Sequence, residues 1–122
     1  MIGFIVAFLA MALGAGALAV VGRKSTNGTL PPNRWAGIRT PYTFSSEDAW
    51  YSTHRHAGPV LERSGVIVAV VAVGCLILAL AEVFTVALAA VAALVLSTAM
   101  VAAALYAWAH GTARARRELG PS

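Results

Sequence analysis

One cysteine, few charges and no recognisable catalytic motif set the first limits on this 122-residue chain. Cys75 alone excludes an internal disulfide and a cysteine-built metal cluster, and its place inside an apolar run makes it a small buried hydrophobe. Charged residues make up 11% of the chain against 59% hydrophobic, far from the balance of a soluble domain this small. There is no Gly-Xaa-Ser-Xaa-Gly elbow, no phosphate-binding loop and no His-Glu-Xaa-Xaa-His. Nothing pairs a nucleophile with a base, so no enzymatic activity and no cofactor are expected. The net charge of +4 does not point to nucleic acid, because the basic residues form no stripe and lie beside apolar runs.

What is present is hydrophobic length. Ile2 to Val21 is free of charge and, at 1.5 Å per residue, covers about 30 Å, one hydrocarbon core. No Lys or Arg precedes it and it exceeds a signal-peptide core, so it reads as a retained transmembrane helix. Ser64 to Ala109 holds one charge, Glu82. As a single helix it would reach about 69 Å, twice what a bilayer covers, so it must fold back. Glu82-Val83-Phe84-Thr85 is the expected corner, with Thr85 capping the next helix. The expectation is an all-α integral membrane protein, a single membrane domain over 1–122, with spans 2–21, 64–81 and 86–109.

Charge tests that count. Three spans put the N-terminus and the corner on one side, where there is no Lys or Arg. The other side receives all nine: Arg23, Lys24, Arg34, Arg39, Arg55, Arg63, Arg114, Arg116 and Arg117. The positive-inside rule then predicts a cytoplasmic loop and C-terminus and an outside N-terminus. The spans contain no mid-membrane ionisable group, which counts against an ion-coupled pump. Small residues at four-residue spacing, Ala10 with Gly14, Ala12 with Gly16, Ala89 with Ala93, and Ala99, Ala103, Ala107, offer faces for a three-helix bundle or a homodimer seam.

The polar segment between the first two spans carries the recognition chemistry. Ser25 to Leu30 reads as a linker with an Asn-Gly turn, and Pro31-Pro32 stiffens the entry to a signature loop over 31–58. Gly37 to Pro41 reads as a shaped, non-helical arm, with Thr40 held extended by Pro41. Ser45 and Asp48 form an imperfect capping box for a short interfacial amphipathic helix, Ser46 to Ala57, broken by Gly58-Pro59. On it Ala49, Trp50, Thr53 and Ala57 share one face, while Glu47, Asp48, Tyr51 and Arg55 take much of the other. His54 and His56 stand about 160° apart, unsuited to joint metal binding, so no metal site is expected. Arg39 has two readings: an ion pair with Glu47 or Asp48, or an anion pocket shared with Asn33 and the N–H groups at the Ser45 helix start.

Asn33, Gly37-Ile38-Arg39-Thr40-Pro41, Thr43, Ser45, Glu47, Ala49-Trp50, His54-Arg55 and Ala57-Gly58 together resemble the signature of the SdpI family of bacterial membrane proteins. The resemblance implies a multi-pass protein of the bacterial cytoplasmic membrane. The family's namesake protects its producer against a secreted peptide toxin and holds a transcriptional repressor at the membrane. Longer members carry further spans before the signature, so this chain resembles a short form. The implied partners, besides the lipid bilayer, are a peptide toxin or a cytoplasmic regulator, and no nucleic acid directly. A homo-oligomer or a larger membrane complex that takes the chain as an accessory subunit, or a small oligomeric transporter, are the competing readings. The candidate binding residues are Asn33, Gly37, Arg39, Thr40, Pro41, Thr43, Ser45 and Trp50.

Overall fold

In the computed structural model, which describes residues 1–120, three long helices run up, down and up: α1 (Ile2–Asn27), α2 (Glu47–Leu80) and α3 (Val86–Leu119). Each is long and apolar enough to cross a membrane. α2 packs along both neighbours, whereas α1 and α3 meet only slightly. The apolar cluster at the middle and far end joins Phe8 and Ala15 of α1, Val68, Ala72, Cys75 and Ala79 of α2, and Ala89 and Leu96 of α3. Many other apolar side chains of the helices face outward, as lipid-facing residues must: Ile2, Leu13, Val70 and Leu94 are all strongly exposed.

The corner between the second and third spans is where the apolar run predicts it. Val83 N–H bonds back to the Leu78 carbonyl, Glu82 takes a left-handed φ of 60°, and Thr85 Oγ1 accepts from Leu88 N–H at 3.2 Å. A left-handed residue ends α2 without glycine.

All three helices overrun the expected spans on the loop side. α1 continues through Ser25 and Thr26 to Asn27, so the first half of the expected linker is a last helical turn, and the expected Asn-Gly turn follows at Gly28. Gly28 then closes it at φ 70°, with Thr29 N–H reaching the Lys24 carbonyl in a Schellman arrangement. α3 runs ten residues past Ala109. The largest correction concerns Gly58-Pro59. The structure has no separate interfacial helix over 46–57 and no break, because that segment is the first part of α2, with Pro59 inside it.

The reason is a glycine seam against α1. A Cβ on Gly58 would sit 2.6 Å from the Thr26 nitrogen and 2.7 Å from the Gly22 carbonyl oxygen. One on Gly22 would meet the Glu62 nitrogen and lie 2.8 Å from the Gly58 oxygen, and one on Gly65 would come 2.6 Å from the Ala19 nitrogen. Backbone packed against backbone at this range favours a helix continuous through Pro59, against an intrinsic proline cost of about 3 kcal/mol. The expected pairs do otherwise. Nothing approaches Gly14 or Gly16, and the face that packs is Ala15, Ala19, Gly22 and Thr26. On α3, Ala89 and Ala107 are buried and Ala93 packs beside the core, whereas Ala99 is exposed.

Candidate functional site

Residues 29–46 fold over the loop-side ends of α2 and α3 as a cap with no regular secondary structure. Its centre is Trp50, fully buried in the first turns of α2. The indole Nε1–H donates to the Leu30 carbonyl at 2.9 Å, which fixes the start of the loop. Its ring stacks on His54 at 4.1 Å between centroids, and Phe44 lies tilted against it at 5.4 Å. The expected face of Ala49, Trp50, Thr53 and Ala57 is buried, against the bundle and cap.

His54 is the residue whose place composition did not foretell. It is fully buried, and its Nε2 accepts the Ile38 N–H at 2.8 Å. That nitrogen therefore carries no proton, so Nδ1–H donates to the Trp50 carbonyl at 2.7 Å. Burial holds the His54 imidazole below its ordinary pKa, against the opposing pull of the Trp50 carbonyl bond. A neutral ring of one tautomer is thus a structural pin between α2 and the arm.

The arm is shaped to meet that pin. Gly37 has φ 103°, and a Cβ there would lie 2.6 Å from His54 Nε2 and 3.2 Å from a Leu30 methyl. Only glycine satisfies both the angle and the space. Thr43, fully buried, is the arm's hub: its Oγ1 donates to the Ile38 carbonyl at 2.8 Å and accepts from Thr40 N–H at 2.9 Å. Thr40 Oγ1 returns the bond by accepting from Thr43 N–H at 3.2 Å. Pro41 opens the turn over 41–44, where its fixed φ suits the reversal. Ser45 Oγ donates to the Tyr42 carbonyl, while the N-cap is Ser46, whose Oγ accepts from Ala49 N–H at 2.9 Å. The expected capping box was therefore one residue early.

Asn33 spends its amide locally. Its Oδ1 accepts from Trp35 and Ala36 N–H and its Nδ2 donates to the Pro31 carbonyl, each at 2.8 Å. Arg39 makes neither expected contact: no ion pair joins it to Glu47 or Asp48, and its guanidinium donates to the Arg34 carbonyl. With Asn33 consumed and the cap one residue on, the expected anion pocket does not assemble. What the bond from Arg39 does is fix the backbone under Trp35, which is 83% exposed.

A second set of polar contacts ties the tail to α2. The Glu118 carboxylate meets His56 Nε2 at 2.8 Å, Arg55 at 3.1 Å and Ser52 Oγ at 3.2 Å. The His56 bond first, then Ser52 and the Arg55 charge, hold Glu118 below the usual carboxylate range, with desolvation opposing them. The Arg116 guanidinium lies over the buried Tyr42 ring at 4.3 Å from its centroid. His54 and His56 thus face different partners, one the arm and the other the tail.

A bundle of three apolar helices under one polar, internally bonded cap defines a multi-pass helical membrane protein with a structured surface at one end. The SdpI/YfhL protein family is the family whose sequence profile matches, over residues 29–106, which takes in the cap, all of α2 and most of α3. The chain belongs to that family. No curated protein and no solved structure matches it.

Proposed function

We propose that the chain is a non-enzymatic immunity or signalling protein of the bacterial inner membrane, in which the cap is a docking surface for a cytoplasmic regulator. The observation that carries this reading is the direction in which the signature residues spend their polar groups. Asn33, Gly37, Thr40, Thr43 and Trp50 all bond or pack inward, and the loop they stiffen presents Trp35 outward between the exposed Arg34 and Arg39. A tryptophan flanked by arginines on a preorganised loop is the composition of an interface hot spot. Its charge selects an acidic partner surface. The nine-to-none distribution of Lys and Arg supports placing this surface in the cytoplasm.

The test is affinity purification of the tagged protein from its own membrane, with partners identified by mass spectrometry. Trp35→Ala and Arg39→Ala should lose the partner while keeping helicity and membrane insertion, and a partner retained by both variants would overturn the reading. Expression in a toxin-sensitive host should protect it, and Arg39→Ala should remove that protection. Unchanged sensitivity across a panel of bacterial peptide toxins would remove immunity and leave the signalling role. Orientation is checked with Cys75→Ala carrying Gly28→Cys or Phe84→Cys, and labelling of position 28 from outside would place the cap on the wrong side.

A further inference from the structure

Thr26, Pro59, Glu62, Arg63, Val66 and Ile67 line an open groove of about 570 Å³ beside the α1–α2 seam. Its level is fixed twice over. Arg63 is the last charge before the uncharged run of α2, and Arg23 is the first charge after that of α1. The two helices touch there, Gly22 against Glu62. The groove therefore straddles the boundary between hydrocarbon and headgroups on the cap side of the bundle.

Its lining has two chemistries, arranged along the helix. Val66 and Ile67, 49% and 63% exposed, lie one turn nearer the bilayer centre and present an apolar wall. Glu62 and Arg63 lie at the mouth with opposite charges, and neither forms an ion pair among the described residues. Thr26 Oγ1 donates to the Gly22 carbonyl at 3.0 Å, which leaves its lone pairs open to a donor. A simple anionic lipid would supply a phosphate for Arg63 but no cation for the Glu62 carboxylate. A choline headgroup would offer Glu62 and Thr26 no N–H.

We infer that this groove binds a zwitterionic phospholipid with a primary ammonium, of the phosphatidylethanolamine type. The Arg63 guanidinium takes the phosphate, and the Glu62 carboxylate with Thr26 Oγ1 takes the ammonium. One acyl chain lies along Val66 and Ile67. The volume lies within the range that holds a small ligand or headgroup. Charge-assisted bonds at both ends of the headgroup are what separate this lipid from its relatives.

The test uses the full-length protein, delipidated in mild detergent and titrated with dimyristoyl phosphatidylethanolamine, phosphatidylcholine and phosphatidylglycerol under native mass spectrometry. Retention of the ethanolamine lipid should exceed that of the choline lipid by about tenfold, the ratio one good polar contact supplies. Glu62→Gln should collapse that preference while still binding phospholipid. Arg63→Gln should weaken all three lipids together, with Arg63→Lys restoring part of the loss. Circular dichroism confirms that each variant is folded, and a misfolded Glu62→Gln is replaced by Thr26→Val, which should reduce the preference severalfold. Equal retention of ethanolamine and choline lipids by the unsubstituted protein would overturn the proposal. Preferential retention of the glycerol lipid would do the same, showing a general cationic belt.

Discussion

The two ends of this bundle are built on different physics. At the corner end, residues 81–85 turn the chain with a few backbone bonds, one threonine cap and one left-handed glutamate, and the helices beside it meet through Phe8, Ala79 and Ala89. At the cap end, glycines bring backbones together and a network of side-chain bonds runs from Leu30 to Glu118. Lipid gives no hydrophobic reward for helix association, so the corner end needs only a fit of small and apolar surfaces. The cap is tied by directional bonds, and breaking those of the buried Trp50 and His54 leaves a buried group unsatisfied. The first kind of contact tolerates drift in sequence; the second specifies residues.

The sharpest way to break this contrast is at the seam. Gly58→Leu should cost about 3 kcal/mol or more, because the new side chain meets the α1 backbone and cannot find space by rotation. Unfolding in sodium dodecyl sulfate followed by circular dichroism measures it, and the equivalent Gly14→Leu at an open position should be close to neutral. Next in size is His54→Ala, which leaves the Ile38 N–H unpaired and a void beneath Trp50, a loss of about 2 kcal/mol. It should appear as lost hydrogen-exchange protection at Ile38. The same protection should depend on pH. Since the folded pKa of His54 lies below its ordinary value of 6.5, docking of the arm is at full strength above that value and is lost as pH falls through the folded one.

Two smaller effects sharpen the comparison. Glu82→Gly at the corner should stabilise the protein by about 1 kcal/mol by relieving the left-handed φ, with a rise in thermal midpoint as the readout. Glu118→Gln should shift that midpoint least, since the carboxylate and Arg55 are both largely exposed. Its removal should nevertheless abolish the acid sensitivity of tail docking. Glu118 is held below the carboxylate range, so its contribution is present above the ordinary value of 4.5 and fades as pH falls through the lowered one.

The apolar runs made three helices and the corner at Glu82 legible, because in hydrocarbon every backbone group must bond within its own helix. They also made legible which face of residues 49–57 is buried, since periodicity records burial. They did not show where the helices end. Gly58-Pro59 is locally a breaker, and only its partner surface on α1, separated by more than thirty residues, reverses that reading. Gly58 and Gly65 of the seam stand one heptad apart, a weaker pattern than the four-residue spacing that singles out Gly14 and Gly16 on α1. His54 follows Trp50 by four residues, which puts it beside the indole on a helix, yet its bond to Ile38 joins positions that no local pattern connects. Nearby opposite charges suggest an ion pair for Arg39, while the chain turns its guanidinium to a carbonyl.

The continuity of α2 has a mechanical consequence. At about 1.5 Å per residue its 34 residues form a rod of about 51 Å, with the cap bolted to one end through Trp50 and His54. A proline removes one rung of the backbone ladder, so Pro59 is the softest point along that rod. The clamp formed by Gly22 and Thr26 sits at that point. A push on Trp35 therefore cannot be absorbed by bending α2 at its weak point unless α1 yields with it. Displacement of the cap is delivered to both helices as a single tilt, and α1, rather than the loop, sets how stiff the coupling is.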